Sequence, residues 1–591
     1  MRWWPRPIGG LGLPRWRRVP PETGLTPGPP GRRTLRIYFI KPSRYDERGD
    51  VLEFRWGVIP SNTLLVLAGL TEAYATAHPE IEIQTVLWDE HVDGGLSSDT
   101  LAAIDARAAA DGVELLIGLA GVQTNQYPRA RDLALQCRRH EVPVLVGGFH
   151  VTTHPASRAF LGAAGVTVVI GEADTTWARI LDDYRRGALQ LEYRTVDGIA
   201  ARTAGQPVVV PALADGPLPA LDGRYLGRFF NPTFATIDTS RGCPFVCSYC
   251  SVKNVMGRTM RTRDPDDVVA WLRAAHNTHG VRNVLVVDDD FFRSPAWTRV
   301  LGGTAALRQA GCDLSLLLQT DLEASFGRAN GNGGAEHTGA RFVDLAAAAG
   351  CFEVFMGLES FDPANLARTQ KLHNVAHPDR HHRGDDRDAV AERVYAHYRH
   401  AVDAWHAAGI GVHCGYMIGL PHDRPGCGRR AARDLTAIGV DMATFFVYTP
   451  FPGTEDYDAA AAAGDLLTDD FNAFDSTHAV WAHPRLTRAA IEQEYRDAYR
   501  HFYTWRRLAW SLATGHHIPG LRPTARAGML AQQIYFTYAD RRGFHPMMGG
   551  IWRRRTPAAR RIAVTDAEAW MEHLGPGVPA ADCQRSGLPA G

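Results

Sequence analysis

Short apolar runs recur along this chain, separated by longer stretches whose apolar residues return every three or four positions. The first run is 35–40. A helix is expected over 61–77, with Ser61 as its N-cap. Residues 81–87 alternate as a strand, 113–119 are almost wholly apolar, and 142–146 and 166–170 complete the set before a helix at about 175–184. Apolar strands alternating with helices predict a parallel sheet covered on both faces. Ligands of such sheets sit beyond the carboxyl ends of the strands. There the sequence places Gly147-Gly148-Phe149-His150 and Gly171-Glu172-Ala173-Asp174, whose glycines allow close approach to a large flat or phosphate-bearing ligand.

A second strand-and-helix series begins at Phe234. A helix is expected over 265–277, with Asp264 capping it ahead of Pro265. Strand 284–287 ends in Asp288-Asp289-Asp290, 314–318 in Gln319-Thr320-Asp321, and 353–356 in Gly357-Leu358-Glu359. Strand 411–418 leads to Gly419-Leu420-Pro421, and 442–448 closes the series. Six such units predict a partial (β/α)6 barrel, in which polar residues at carboxyl strand ends read as active-site groups. From about 459 the chain turns mostly helical, with helices expected over 487–507 and 526–538. Tyr495, Tyr499, Phe502, Tyr503 and Trp505 form either an aromatic core against the barrel or a cap over an apolar pocket.

Composition narrows the picture. The 591 residues exceed one core and imply several domains. Lysine plus arginine and aspartate plus glutamate number 64 each, so no basic excess points to nucleic acid. Nine scattered cysteines are no disulfide framework and favour a reducing cytoplasm, and no apolar run is long enough to span a bilayer. Residues 1–33, rich in Pro, Gly, Arg and Trp, lack the apolar core of a signal peptide and read as a disordered tail or a misassigned start. The expected divisions are 34–187 for the first α/β domain, 188–232 for a linker, 233–458 for the barrel, 459–545 for a helical domain and 546–591 for a basic Pro-rich tail. Polar inserts fall at 327–339 and 373–388, where His373, His377, His381 and His382 suit a surface loop better than a metal site.

The sharpest signal is Cys243-Pro-Phe-Val-Cys247-Ser-Tyr-Cys250, a C-x3-C-x2-C spacing after the apolar run 234–237. Gly242 and Pro244 argue for a loop over a buried helix face. Structural zinc wants a fourth nearby ligand, and a redox Cys247–Cys250 pair leaves Cys243 idle. Three thiolates instead suit three irons of a [4Fe–4S] cluster, with the fourth iron open.

These cysteines, with the flanking Ser240-Arg241-Gly242-Cys243-Pro244-Phe245, resemble the radical S-adenosylmethionine (radical SAM) enzymes, in the subgroup preceded by a cobalamin-binding domain. The resemblance implies a fold: α/β, with an N-terminal Rossmann-like cobalamin-binding domain, a partial (β/α)6 radical SAM barrel and a mostly helical C-terminal region. It implies that Cys243, Cys247 and Cys250 carry the cluster as metal ligands and catalytic residues. Asp288, Asp289, Gln319, Glu359 and Gly419 are then S-adenosylmethionine contacts, and Gly147, Gly148, Gly171 and Glu172 contact cobalamin. Asp89-Glu90-His91-Val92-Asp93-Gly94 fits D-x-H-x-x-G, by which some cobalamin proteins ligate cobalt. It follows the second strand here rather than the first, so His91 is expected in a solvated loop. The order Asp470-Phe471-Asn472, then Asp475-Ser476-Thr477-His478, resembles members acting on lipids or tetrapyrroles.

The implied activity is reductive cleavage of S-adenosylmethionine to a deoxyadenosyl radical, with cobalamin-dependent methylation of an unactivated carbon. The substrate is expected to be a hydrophobic small molecule, lipid or tetrapyrrole-like, with flavodoxin or ferredoxin as electron donor. A radical cyclase or oxidoreductase of the anaerobic magnesium-protoporphyrin ester type is the alternative within the family. A non-catalytic cobalamin or iron–sulfur sensor is the alternative outside it.

Overall fold

The strand β1 (Arg33–Lys41) is buried from Thr34 to Ile40, as a continuous apolar run demands of a central parallel strand. The structure, a computed structural model, describes residues 20–195, 210–326, 341–375, 387–514, 518, 521, 523–556 and 559–562. After β1 come β2 (Glu53–Gly57), β3 (Ile81–Asp89), β4 (Glu114–Leu119), β5 (Val144–Gly147), β6 (Thr167–Ile170) and β7 (Glu192–Arg194). All but β2 form one parallel sheet in the order β3-β1-β4-β5-β6-β7. Chain order reverses between β1 and β4, and the diverging loops there leave a crevice at the carboxyl strand ends. Alternate β1 residues feed separate cores, Leu35, Ile37 and Phe39 on one face, Tyr38 and Ile40 on the other. The first of these cores runs on into the second domain through Ala235 and Ile237.

That domain is a six-stranded parallel sheet of β8 (Phe234–Ile237), β11 (Asn283–Val286), β12 (Ser315–Thr320), β13 (Cys351–Glu359), β14 (Gly411–Ile418) and β15 (Met442–Val447), paired in chain order. Two short strands, β9 (Ser240–Arg241) and β10 (Arg261–Thr262), form an antiparallel ribbon beside it. The helix Pro265–His279 starts as its residues dictate: the Asp264 carboxylate accepts from the Asp266 amide at 2.8 Å, and Gly280 at φ 67° closes the other end.

Several expectations are corrected. Ser61 holds the N-cap position of the helix Asn62–Ala77, but its side chain makes no capping bond. Its amide instead donates to the Tyr225 hydroxyl at 2.8 Å. The single helix expected over 487–507 is two, Arg488–Phe502 and Trp505–Thr514. Tyr503 departs from helical backbone between them (φ −94°, ψ 68°). Its hydroxyl accepts from the Ala443 amide at 3.0 Å and donates to the Ala443 carbonyl at 2.9 Å. Tyr499 does the same for Phe445, at 3.1 and 3.3 Å. Since β15 is the sheet's edge, these hydroxyls pair backbone groups that no neighbouring strand reaches. The aromatic series is therefore a core and an edge seal rather than a pocket-shaping cap, and Trp505 is 62% exposed.

The presumed linker and tails are partly built into the fold. β7 and the short helix Gly223–Leu226 lie within 188–232. From the supposed C-terminal tail, β16 (Gly550–Arg554) pairs antiparallel with β2. Of the presumed disordered N-terminal segment, Glu22 accepts from the Tyr38 hydroxyl at 2.6 Å and the Thr26 carbonyl accepts from Arg36 at 3.0 Å. The insert at 327–339, residues 376–386 with His377, His381 and His382, and residues 1–19 and 563–591 lie outside the described residues. No helix among the described residues is long and apolar enough to cross a membrane.

Candidate functional site

Cys243, Cys247 and Cys250 lie in irregular backbone between β9 and the short helix Val252–Val255, so the buried-helix-face reading falls away. Gly242 enters this loop at φ 103°, and a Cβ there would sit 2.5 Å from the Thr259 carbonyl oxygen. Ser248, between the thiols, donates its amide to Thr369 O at 3.1 Å and its hydroxyl to the Asp456 carboxylate at 2.9 Å. The same carboxylate accepts from the Tyr448 hydroxyl at 2.6 Å and pairs with Arg368 at 3.1 Å. The loop is thus held by the helix that follows β13, through Thr369 and Arg368, and by the segment that follows β15, through Tyr448 and Asp456.

All three thiols are free. Burial pushes each above the ordinary thiol range, Cys250 to about 11, and for Cys243 the neighbouring Asp290 adds to the effect. A buried thiolate therefore needs a cation. Lys371 supplies one. Burial alone would lower its ammonium, but Glu359 and the three thiols together hold it above the usual lysine value. Its Nζ lies 3.4 Å from Glu359 Oε1, and that oxygen also accepts from the Tyr249 hydroxyl at 3.2 Å. Glu359 ends β13 in left-handed backbone (φ 64°), a strained geometry that turns its carboxylate toward the cysteine loop.

The other strand-end residues divide. Asp289 accepts from the Gly242 amide at 2.9 Å, and burial lifts its carboxyl to about 7. Gln319 stands half-buried at the end of β12. Asp288, expected as an S-adenosylmethionine contact, is committed elsewhere. It accepts from Thr239 N, Thr239 Oγ1 and Ser240 Oγ, each at 2.6 Å, and braces the entry to the cysteine loop. Gly419, at φ 84°, is a turn position whose amide donates to Asp423 at 2.9 Å and whose Cα faces Ile491. His373 stacks on Phe245 with centroids 3.7 Å apart. No three His, Cys, Asp or Glu groups among the described residues converge on a point to hold one metal ion.

A cavity of about 370 Å³ fills the crevice between the two sheets. Phe39, Gly118, Gly121, Gly147, Gly148 and Gly171 line it from the first sheet, and Ser240, Arg241, Val287 and Asp289 line it from the barrel. Gly148, at φ 140°, could carry no side chain, because a Cβ would sit 2.1 Å from Val122 N. Two acceptors in the lining, Asn62 Oδ1 and Asp174 Oδ1, are buried without a hydrogen-bond partner. An amide-bearing macrocycle such as cobalamin offers the N–H donors they lack, over a floor kept bare by glycine. His91 is not in the lining; it lies in a short helix after β3, its amide donating to Asp89 Oδ1 at 3.1 Å. Phe471, in the stretch that resembles members acting on lipids or tetrapyrroles, packs on His150 and His154, at 4.6 and 4.9 Å. Asn472 and Asp475 bind the Tyr45 backbone and Arg44.

Sequence reasoning gave Arg241 and Arg261 no role of their own and missed Lys371. A signal for the last was present: this chain has only three lysines, Lys41, Lys253 and Lys371, against arginine everywhere else. Two of the three serve the cysteine loop, Lys253 donating to Val246 O at 2.9 Å.

Residues 237–435 match the Radical SAM superfamily. The chain is 23% identical over 400 residues to the bacteriochlorophyllide d C-8(2)-methyltransferase of Chlorobaculum tepidum, covering 67% of this chain and 80% of that one. To the hopanoid C-2 methylase of Rhodopseudomonas palustris it is 22% identical, over 58% of this chain and 57% of the relative. Among solved structures, the cobalamin-dependent S-adenosylmethionine radical enzyme OxsB, with aqua-cobalamin and S-adenosylmethionine bound, shares the fold. It superposes with a TM-score of 0.55 over 86% of this chain and 72% of that one, at 12% identity.

Proposed function

This chain carries a radical SAM domain and is related in sequence to radical SAM methyltransferases, and from that premise we infer that it is a cobalamin-dependent radical SAM C-methyltransferase. One observation carries the reading. The cavity floored by strand-end glycines and the loop of three thiols share a wall, made of Ser240, Arg241 and Asp289. In this reading the two reactive centres lie on either side of that wall and serve one substrate.

In this reading Cys243, Cys247 and Cys250 hold separate irons of a [4Fe–4S] cluster. Glycines 147, 148 and 171, with Asn62 and Asp174, seat the corrinoid. When bound, the cluster and S-adenosylmethionine supply a carbon radical and the corrinoid supplies a methyl group. The chain's own residues bind, orient and exclude water. Glu359 and Lys371 present opposite charges, matched to the ammonium and carboxylate of an amino acid. Burial lifts the Asp289 carboxyl to about 7, so it carries a partial charge on the wall at physiological pH. The substrate is a hydrophobic small molecule, as the bacteriochlorophyllide and hopanoid relatives' names support. An acidic redox protein such as flavodoxin or ferredoxin supplies electrons. All eight cysteines among the described residues are free, which fits a reducing cytoplasm.

The test is anaerobic reconstitution with iron, sulfide and cobalamin, then S-adenosylmethionine and reductant, assaying deoxyadenosine and S-adenosylhomocysteine. Both are expected, and both should vanish in Cys250→Ala. Deoxyadenosine without S-adenosylhomocysteine would replace methyl transfer by the cyclase or oxidoreductase reading. A wild-type protein that takes up cluster and cobalamin but forms neither, with candidate hydrophobic substrates present, would favour the sensor.

A further inference from the structure

Six charged side chains meet where the first sheet abuts the barrel. Glu172 Oε2 lies 2.6 Å from Arg241 Nη1, and Glu172 Oε1 lies 2.6 Å from Arg261 Nη2. Arg261 Nη1 adds a second bond to Glu172 at 3.0 Å. Arg241 also reaches Asp174 at 2.7 Å and Asp238 at 2.9 Å, and Arg263 closes the network on Asp238 at 2.9 Å. Three carboxylates balance three guanidiniums, and no member's side chain is more than 11% exposed. Asn62 ties the helix Asn62–Ala77 into the same network through Asp238, at 2.8 Å.

A buried ion network is a poor source of stability, because desolvating the charges offsets much of their attraction. Its geometry is another matter, since guanidinium forks fix both distance and angle. The chain positions joined here are telling. Glu172 and Asp174 follow Gly171 at the tip of β6, on the cavity floor, and Arg241 stands two residues before the first thiol, Cys243. Arg241 and Arg261 are register partners in the β9–β10 ribbon, so one carboxylate grips both strands at once.

We propose that Glu172, with Arg241 and Arg261, is a positioning bracket that fixes the distance between the corrinoid and the cluster. Glu172 is thereby reassigned from cofactor contact to spacer between cofactors. The inference rests on the function proposed above and adds what sets the gap across which that chemistry runs. Its residues need not touch either cofactor.

The experiment reads distance, not turnover. Protein loaded with cluster and cobalamin is poised as cob(II)alamin, with the cluster either reduced and paramagnetic or oxidised and diamagnetic. The spin-relaxation enhancement of cobalt by the reduced cluster is then measured by pulsed electron paramagnetic resonance. Dipolar relaxation falls steeply with separation. Glu172→Gln is expected to keep both cofactors at wild-type stoichiometry while the enhancement falls several-fold, with a broadened distribution. Arg261→Lys retains the charge without the fork and is the second variant, read where Glu172→Gln fails to fold. It is expected to change in the same direction by a smaller factor. Unchanged relaxation in these variants, with both cofactors bound, overturns the bracket and leaves the function standing. Wild-type protein that takes up the cluster but no cobalamin overturns both.

Discussion

The carboxylate of Asp288 accepts three hydrogen bonds from two successive residues, Thr239 and Ser240, each at 2.6 Å. An aspartate at a carboxyl strand end thus serves the backbone that leads into the thiols and not an incoming ligand. Asp288→Ala leaves two hydroxyls and an amide without their acceptor in a buried place, at a cost of roughly 2–4 kcal/mol. We expect a lower urea midpoint and reduced iron content in that variant. Asp289→Asn, on the cavity wall, should keep the midpoint near wild type and weaken cobalamin uptake in a spectral titration.

Removing the Lys371 cation has an electrostatic consequence of known sign. Adding an electron to a cluster is harder once a nearby positive charge is gone. Lys371→Met is expected to bind iron and sulfide but to show a more negative reduction potential in a redox titration, and weaker S-adenosylmethionine binding. Lys371→Arg should restore the potential more fully than the binding, since a planar fork does not replace a compact ammonium. A potential unchanged in Lys371→Met would remove this lysine from the cluster's surroundings.

The seal on β15 is separable from the chemistry. Tyr499→Phe and Tyr503→Phe each remove one hydroxyl that both donates to and accepts from the edge strand. Each is expected to cost about 1–3 kcal/mol in equilibrium unfolding. The two residues share one helix end and one strand, so the double variant is expected to depart from additivity. Deoxyadenosine formation per folded protein should be unchanged. A loss of radical chemistry at constant fold would return these tyrosines to the pocket.

Asp423 gives a pH dependence. Burial raises its carboxyl to about 6, even though the Gly419 and Leu420 amides and Asn365 favour the charged form. The folded protein therefore holds a proton that the unfolded chain releases near pH 4. This group's stabilising contribution is full below about pH 4 and is lost as pH rises to about 6, by up to about 3 kcal/mol. Urea midpoints of wild type and Asp423→Asn should diverge across that window and run parallel above it.

How much of this was legible in advance follows from the range of the forces. Apolar period and strand-end glycines are local properties, so the two α/β series, the run Pro265–His279 and the thiol loop could be read along the chain. Gly242, Pro244 and the cysteine spacing specified a loop able to present three thiols, because backbone freedom and ligand softness belong to those residues alone. Partners hundreds of positions apart could not be read that way. Nothing near Glu172 announces Arg241 and Arg261, nothing near Tyr499 announces the bare edge at Phe445, and β16 finds β2 across most of the chain. Periodicity shows that a residue is buried or strand-terminal; it cannot say which carboxylate faces a ligand and which faces an arginine. Only tertiary packing decided that Asp288 braces backbone, that Glu172 grips the other domain, and that Lys371 pairs with Glu359 beside the cysteine loop, since each outcome depends on which desolvated charges are brought together.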